Sequence, residues 1–170
     1  MLTVFVPKEQ AKGETRVAAI PETIKKLIKE GVAVRAESDA GLAASITNAM
    51  LEEAGAAIVP SGGEAAAWAE SDVILKVAPP TCEEAGRLKE GALLVGFVSP
   101  HANLDVVKIL MERKVSTMAM ELVPRISRAQ SMDALSSQAS IAGYKSVLMA
   151  AASLDKYFPL MMTAAGTVKP

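Results

Sequence analysis

The sequence predicts an α/β fold with a mostly parallel sheet flanked by helices, of the flavodoxin-like or Rossmann-like kind, followed by a long C-terminal inter-domain helix. Two observations predict it. Short apolar runs alternate along the chain with segments of helical periodicity. Proline and glycine residues fall between many of these segments, where turns are expected. Such alternation is typical of βαβ units with right-handed crossovers.

The apolar runs are predicted to be buried strands. The first run stops at Pro7, and the clearest run, DVILKV at 72–77, is followed by Pro79 and Pro80. Proline cannot donate a hydrogen bond to a neighbouring strand, so these positions mark strand ends. The six predicted strands are 2–6, 32–36, 56–59, 72–77, 92–98 and 115–118.

The segments between the strands are predicted to be helices. Pro21 suits the first helical position, Ile24 and Leu27 share one face, and Gly31 lies past the end. The helices predicted between strands are 21–30, 47–53, 63–70, 81–89 (capped by Thr81) and 104–114 (capped by Asn103). Ligands of open α/β sheets bind outside the carboxyl ends of the strands. We therefore expect four segments to lie near one another: 8–16, 76–80, 99–103 and 121–133.

The last predicted helix, 131–157, is unusually long. Ser131 suits its N-cap and Pro159 lies just beyond its end, which gives about 40 Å at 1.5 Å per residue. A stripe of short polar side chains runs along one face, namely Asp133, Ser136, Ser137, Ser140 and Tyr144. Such a stripe suits either a solvated surface or a wall that hydrogen-bonds a ribose, an amide or a partner.

Composition excludes several functional classes. The chain of 170 residues carries 18 Lys plus Arg against 19 Asp plus Glu, so no basic footprint argues for nucleic acid. One cysteine and one histidine provide no zinc site, so no metal is expected, and they favour a reducing, cytoplasmic setting. Since no apolar run approaches 18 residues, membrane association is expected only through a partner, without direct insertion.

Two stretches carry a resemblance to known proteins. The run 120–145, MELVPRISRAQSMDALSSQASIAGYK, closely resembles the NAD-binding alpha subunit of proton-translocating NAD(P) transhydrogenase. Residues 14–21, ETRVAAIP, resemble a signature that these subunits share with alanine dehydrogenases. The resemblance implies direct hydride transfer between NAD(H) and NADP(H), the latter held on a partner subunit. It also implies a homodimer, with NADP-binding and membrane subunits as partners on the inner face of a membrane.

The same resemblance implies which residues contact the nucleotide. The matching residues Arg125, Gln130, Asp133 and Ser136 would form a loop and helix start that close over the nicotinamide and its ribose. Carboxylate for ribose hydroxyls, and amide and guanidinium for the carboxamide, are sensible pairings by donor and acceptor count. A capped helix start with a surface arginine is the alternative.

Three further residues have chemistry of their own. The planar guanidinium of Arg16 could bind a substrate carboxylate through two hydrogen bonds, or it could be a structural group that stabilises its own loop. Lys76 matches a substrate-contacting lysine of alanine dehydrogenases, or reaches solvent from a strand end. His101 is interpreted as a helix-entry residue, because Ser99 occupies the position of the alanine dehydrogenase histidine. No acid or base catalyst is therefore expected, and direct hydride transfer needs none.

A glycine-rich G-x-G-x-x-G turn is absent from the sequence. Residues 158–170 resemble the segment before the Rossmann domain of transhydrogenases, so the predicted division is 1–130, 131–157 and the start of a further domain at 158–170. A chain of this extent is expected to be inactive alone. Two alternatives stay open: an alanine dehydrogenase-like oxidoreductase using Arg16 and Lys76, and a non-catalytic flavodoxin-like binding module.

Overall fold

The chain forms two compact units, which a computed structural model describes over all residues Met1–Pro170. The first unit is Met1–Val123 and the second is Pro124–Pro170. The division into compact units thus falls between Val123 and Pro124, and the predicted domains 1–130, 131–157 and 158–170 stay a prediction. None of the helices combines the length and apolar character needed to cross a membrane.

A six-stranded sheet organises the first unit. Its strands are β1 (Thr3–Val6), β2 (Ala33–Glu37), β3 (Ala57–Val59), β4 (Val73–Leu75), β5 (Leu93–Gly96) and β6 (Ser116–Ala119). Their order is β3-β2-β1-β4-β5-β6, and every neighbouring pair is parallel. This is the strand order of the doubly wound Rossmann sheet. The chain adds β2 and β3 on one side of β1 and then adds β4, β5 and β6 on the other side, so the switch point lies between β1 and β4. The predicted α/β class is confirmed.

Five helices connect these strands. They are α1 (Pro21–Lys29), α2 (Asn48–Glu53), α3 (Glu64–Glu70), α4 (Cys82–Arg87) and α5 (Leu104–Glu112). Pro21 occupies the first turn of α1 as predicted, where its missing N–H costs nothing. Thr81 caps α4 in a reciprocal capping box with Glu84. Local sequence signals thus place these helix starts correctly.

The core lies on both faces of the sheet. Phe5 packs into one apolar cluster, whereas its neighbours Val4 and Val6 pack into the other. Successive side chains of a strand point to opposite faces, so a strand covered on both sides is apolar throughout. In the first cluster the Phe5 and Trp68 rings meet edge to face, with their centroids 5.9 Å apart.

Strands β4 and β5 are shorter than predicted at their carboxyl ends. The N–H of Val77 donates to the Glu9 carboxylate, and the N–H of Val98 donates to the Glu121 carboxylate. At these two points a side-chain carboxylate from another loop replaces the carbonyl of a neighbouring strand as the hydrogen-bond acceptor. Both predicted strands, 72–77 and 92–98, extend two residues beyond the observed strand ends at Leu75 and Gly96.

The long helix α6 (Ala134–Ser153) also differs from its prediction of 131–157. Asp133, not Ser131, is its N-cap, because the Asp133 carboxylate accepts the N–H of Ser136 at 2.9 Å. Ser131 instead lies in a 3₁₀ segment, Ser127–Met132. At the other end Leu154 is extended and stops the helix. Twenty residues make it about 30 Å long.

A hairpin in the second unit was not predicted. Its antiparallel strands are β7 (Met161–Thr163) and β8 (Gly166–Val168). The connecting residues are two alanines, and the hairpin signal Asn-Gly is absent from the turn. Gly166 supplies a positive φ of 114° instead. That residues 158–170 begin a further domain stays a prediction.

Candidate functional site

Lys76 follows β4 at the point where the strand order reverses. Its ammonium lies 3.2 Å from a Glu9 carboxylate oxygen and 3.1 Å from a Glu84 carboxylate oxygen, and the side chain is only 2% exposed. It also lies 6.0 Å from the centre of the Trp68 ring. The alternative that Lys76 extends into solvent is therefore wrong, because two buried carboxylates hold its charge inside.

Glu9 joins the loop after β1 to the end of β4. Besides pairing with Lys76, its carboxylate accepts the N–H of Val77 at 2.6 Å and that of Ala78 at 3.2 Å. The expected proximity of segments 8–16 and 76–80 is confirmed by these bonds. Two carboxylates already pair with this nearly buried ammonium, and a substrate role for Lys76 stays a prediction.

Sequence reasoning missed both carboxylate partners of Lys76. Glu84 had a usable signal, since Thr81-x-x-Glu84 is a capping-box pattern that fixes the glutamate in the first turn of α4. One Glu84 carboxylate oxygen accepts the N–H of Thr81, and the other accepts a hydrogen bond from the Lys76 ammonium. Glu9 had no comparable signal, because a single glutamate after Pro7 looks like any solvated loop residue.

Arg16 forms a bidentate pair within its own loop. Its Nε donates to one Glu14 oxygen at 2.7 Å and its Nη2 to the other at 2.6 Å. The two residues line a cleft of about 290 Å³ at the carboxyl ends of β1 and β2, together with Lys8, Glu9 and Asp39. The hydrogen bonds from Arg16 lower the pKa of Glu14 from 4.5 to about 2.

Replacing Arg16 by lysine is expected to raise the pKa of Glu14 from about 2 back towards 4.5, since an ammonium cannot reproduce the planar two-point contact. In the native protein the lowered pKa makes this pair stabilising above pH 4.5, and the contribution is lost as the pH falls towards 2. Carbon-13 NMR titration of the carboxyl groups measures the shift. Arg35→Lys, which changes the separate pair with Glu70, should leave Glu14 unaltered. An unchanged Glu14 pKa in Arg16→Lys would contradict the assigned cause.

A second cluster lies wholly in the second unit. Arg125 Nη2 donates to the Ser136 hydroxyl at 3.3 Å, and that hydroxyl donates to the Asp133 carboxylate at 2.7 Å. Arg125, Gln130 and Asp133 line a cleft of about 300 Å³ with Ile126 and Ser127. The structure thus brings the four residues singled out from the sequence into one place.

Charge and hydrogen bonding preorganise this cluster. The Ser136 hydroxyl and the Ser136 N–H both donate to Asp133, and they lower the pKa of this carboxyl. Asp133 is therefore ionised near neutral pH, and Arg125 stands 3.7 Å away as its partner. Gln130 and Arg125 remain exposed. The cluster can offer an anionic acceptor, a guanidinium and an amide to one ligand.

His101 lies in an exposed turn ahead of α5. Asn103 stands at the N-cap position of that helix, but its side chain makes no capping bond. The predicted N-cap position is confirmed. The Asn103 amide donates to the carbonyls of Val98 and Ser99, at 2.9 and 3.2 Å, so the side chain holds the preceding turn and not the first turn of the helix. No set of three or more His, Cys, Asp or Glu side chains is arranged to hold a metal ion.

Known proteins resemble this chain over nearly its whole length. The model of the alanine dehydrogenase/PNT N-terminal domain matches residues 5–142. The first part of the NAD(P) transhydrogenase alpha subunit of Rhodospirillum rubrum is 46% identical over 174 residues, covering 99% of this chain and 45% of that protein. The crystal structure of transhydrogenase from Sinorhizobium meliloti has a TM-score of 0.88 at 43% identity, covering 98% of this chain and 49% of that one.

An L-alanine dehydrogenase structure is a more distant neighbour, with a TM-score of 0.67 at 29% identity over 72% of this chain and 33% of that one. This chain spans less than half the length of the relatives it matches. The transhydrogenases are closer than the alanine dehydrogenase in both identity and fold. With a family match that covers most of its length, this chain belongs to the alanine dehydrogenase/PNT N-terminal domain family.

Proposed function

We propose that this chain is the N-terminal part of the NAD(H)-binding subunit of a proton-translocating NAD(P) transhydrogenase. The observation that carries the proposal is one polar cluster: Arg125, Gln130 and Asp133 line a single cleft, and the Ser136 hydroxyl is hydrogen-bonded to Arg125 and Asp133. That cluster lies within residues 120–145, the stretch singled out for its resemblance to the transhydrogenase alpha subunit. The similarity to the alpha subunit of Rhodospirillum rubrum supports the same assignment.

The side chains of this cluster fit a nicotinamide nucleoside. An ionised Asp133 would accept from the two ribose hydroxyls, because a carboxylate has acceptors only. Arg125 and Ser136 would orient the carboxamide, and Gln130 would present its amide to the ring or to the partner domain. When bound, NAD(H) supplies the nicotinamide carbon that gives or takes hydride. This part of the protein would then bind, orient and exclude water.

Direct transfer between two nicotinamides requires no general acid or base. The exposed His101 is therefore given no acid or base role in this proposal. The second nucleotide, NADP(H), would be held on a partner subunit. By itself this chain is proposed to be inactive, since it supplies only one wall of the nicotinamide cleft.

Partners would also cover the long helix. Apolar side chains lie exposed along α6, including Leu135, Ile141, Tyr144 and Val147, and no residue of the helix is buried. A helix that is apolar on several sides is normally packed against protein. We propose that a second copy of the subunit, and the NADP-binding and membrane subunits, provide this cover. The protein would thereby sit on the cytoplasmic face of the membrane.

Arg125→Ala in the complete alpha subunit is expected to weaken NADH binding about tenfold to a hundredfold, the usual cost of a charged hydrogen bond. NADH fluorescence during titration measures the Kd. Arg128 is a matched control, because it is an exposed arginine in the following 3₁₀ segment, Ser127–Met132, and makes no hydrogen bond or salt bridge to protein. Arg128→Ala should change the Kd by no more than about twofold. Equal losses in the two variants would reject the proposed contact and leave only a general effect of charge.

A further inference from the structure

The Ser136 hydroxyl forms two hydrogen bonds whose directions are fixed by its partners. It accepts from Arg125 Nη2 at 3.3 Å and donates to a carboxylate oxygen of Asp133 at 2.7 Å. No other assignment is open, because a guanidinium has only donors and an ionised carboxylate has only acceptors. The hydroxyl proton is therefore committed to Asp133.

Asp133 holds this direction near neutral pH. The hydrogen bonds from the Ser136 hydroxyl and N–H lower the pKa of the Asp133 carboxyl, so this group is ionised and can only accept. Its other carboxylate oxygen accepts the Ser136 N–H at 2.9 Å. Asp133 thus binds Ser136 at two points, which keeps the hydroxyl proton turned towards the carboxylate.

What remains for a ligand at Ser136 is an acceptor. A hydroxyl oxygen has two lone pairs, and Arg125 uses one of them. Arg125 keeps further N–H groups that can donate to a ligand, and both Arg125 and Asp133 line the cleft of about 300 Å³. The cluster thus places a free acceptor, on Ser136, beside free donors, on Arg125. This is the complement of a carboxamide, which has an N–H group and a carbonyl oxygen side by side.

We propose that Ser136 selects nucleotides that carry a carboxamide, because its hydroxyl is held as an acceptor for the carboxamide N–H, and that Asp133 is the positioning residue that sets this direction. The inference rests on the proposed function, which supplies the nucleotide. Arg125 then donates to the carboxamide oxygen. An NADH analogue with an acetyl group in place of the carboxamide keeps the carbonyl oxygen and lacks the N–H, so it leaves the Ser136 acceptor unpaired.

Binding of NADH and of this acetyl analogue to the complete alpha subunit, measured by calorimetry, tests the selection. The native protein should bind NADH about threefold to tenfold more tightly, the effect of one hydrogen bond. Ser136→Ala should weaken NADH binding by the same factor and change binding of the analogue by no more than about twofold, so that the preference disappears. Ser137→Ala is the matched control, because the Ser137 hydroxyl donates to the main-chain carbonyl of Asp133. This variant should keep the native preference.

Asp133→Asn tests the positioning role. An asparagine amide can donate to the Ser136 hydroxyl, which frees the hydroxyl proton to turn towards a ligand carbonyl. Asparagine also caps helices well, so α6 should still begin at the same residue. The preference for NADH should fall to within about twofold, whatever the absolute affinities become. A purely structural defect would weaken both nucleotides alike and leave their ratio unchanged.

Three outcomes would overturn the inference. Equal affinity of the native protein for NADH and the acetyl analogue would mean that the carboxamide N–H is not read. A preference that persists in Ser136→Ala would remove Ser136 from the selection, and one that persists in Asp133→Asn would remove the positioning role of Asp133. Arg125→Ala tests the proposed function separately, because it should weaken binding of both nucleotides. Failure to weaken NADH binding would reject the nucleotide site as a whole, whereas Arg125-dependent binding without a carboxamide preference would reject this inference alone.

Discussion

Lys76→Met is expected to lower the free energy of unfolding of the first unit by about 3–5 kcal/mol at neutral pH, the usual cost of removing one partner from a buried ion pair. The substitution leaves the Glu9 and Glu84 carboxylates buried without their shared cation. Urea unfolding followed by fluorescence measures the loss. Trp68 is a suitable probe, because it is the single tryptophan and lies in the adjacent core cluster.

Two further variants test the cause of this loss. Adding Glu9→Gln to Lys76→Met should restore at least about 1 kcal/mol, because one of the two uncompensated carboxylates disappears. Lys114→Met breaks a pair with Glu90 in which both side chains are largely exposed, so it should cost less than about 1 kcal/mol. A loss in Lys76→Met as small as that in Lys114→Met would show that the buried cluster contributes little to stability.

Gly96→Ala is expected to destabilise the first unit by about 3 kcal/mol, at the upper end of the cost of overpacking. A Cβ at this position would collide with the carbonyl oxygen of Lys76 and stand 3.0 Å from its carbonyl carbon. Both atoms belong to the main chain beside β4, so they cannot rotate away. Strands β4 and β5 would have to separate where the Lys76 cluster is assembled. Thermal and urea unfolding of the variant measure the effect.

Gly86→Ala is the matched control, with the opposite expected sign. Gly86 lies within α4, and a Cβ there would meet no atom within 4 Å. Alanine restricts the unfolded chain and favours the helix, so this variant should gain about 0.5–1 kcal/mol. If both glycine variants lose the same stability, close contact between β4 and β5 is not the reason that position 96 needs glycine.

The elements of the fold could be predicted because their signals are local. Six apolar runs ended by turn residues correspond to the six strands, and Pro21 and Thr81 mark helix starts. Helix α6 shows the limit of such signals. Ser131 and Asp133 are equally good caps by residue type, and the structure uses Asp133 because its carboxylate reaches the N–H of Ser136. That choice depends on how the preceding loop folds.

Some residues of the candidate site could likewise be predicted from local sequence, whereas others could not. Arg125, Gln130, Asp133 and Ser136 were singled out from a continuous stretch of sequence, and their neighbourhood along the chain brings them together. The Lys76 cluster and the bond from the Val98 N–H to the Glu121 carboxylate could not be foreseen. Glu9 meets Lys76, and Glu121 meets Val98, between segments that are distant in sequence.

Residue order therefore accounts for the α/β class, the strand and helix positions and the composition of the polar loop, because apolar periodicity and caps act over a few residues. Folding of the sheet settles which charges are buried and which strand ends are held. Those outcomes depend on strand order, which brings β1 beside β4 and β5 beside β6. A lysine at a strand end looks the same in the sequence whether it meets water or two carboxylates. The partners of that lysine depend on how distant segments pack together, so they cannot be predicted from the local sequence pattern.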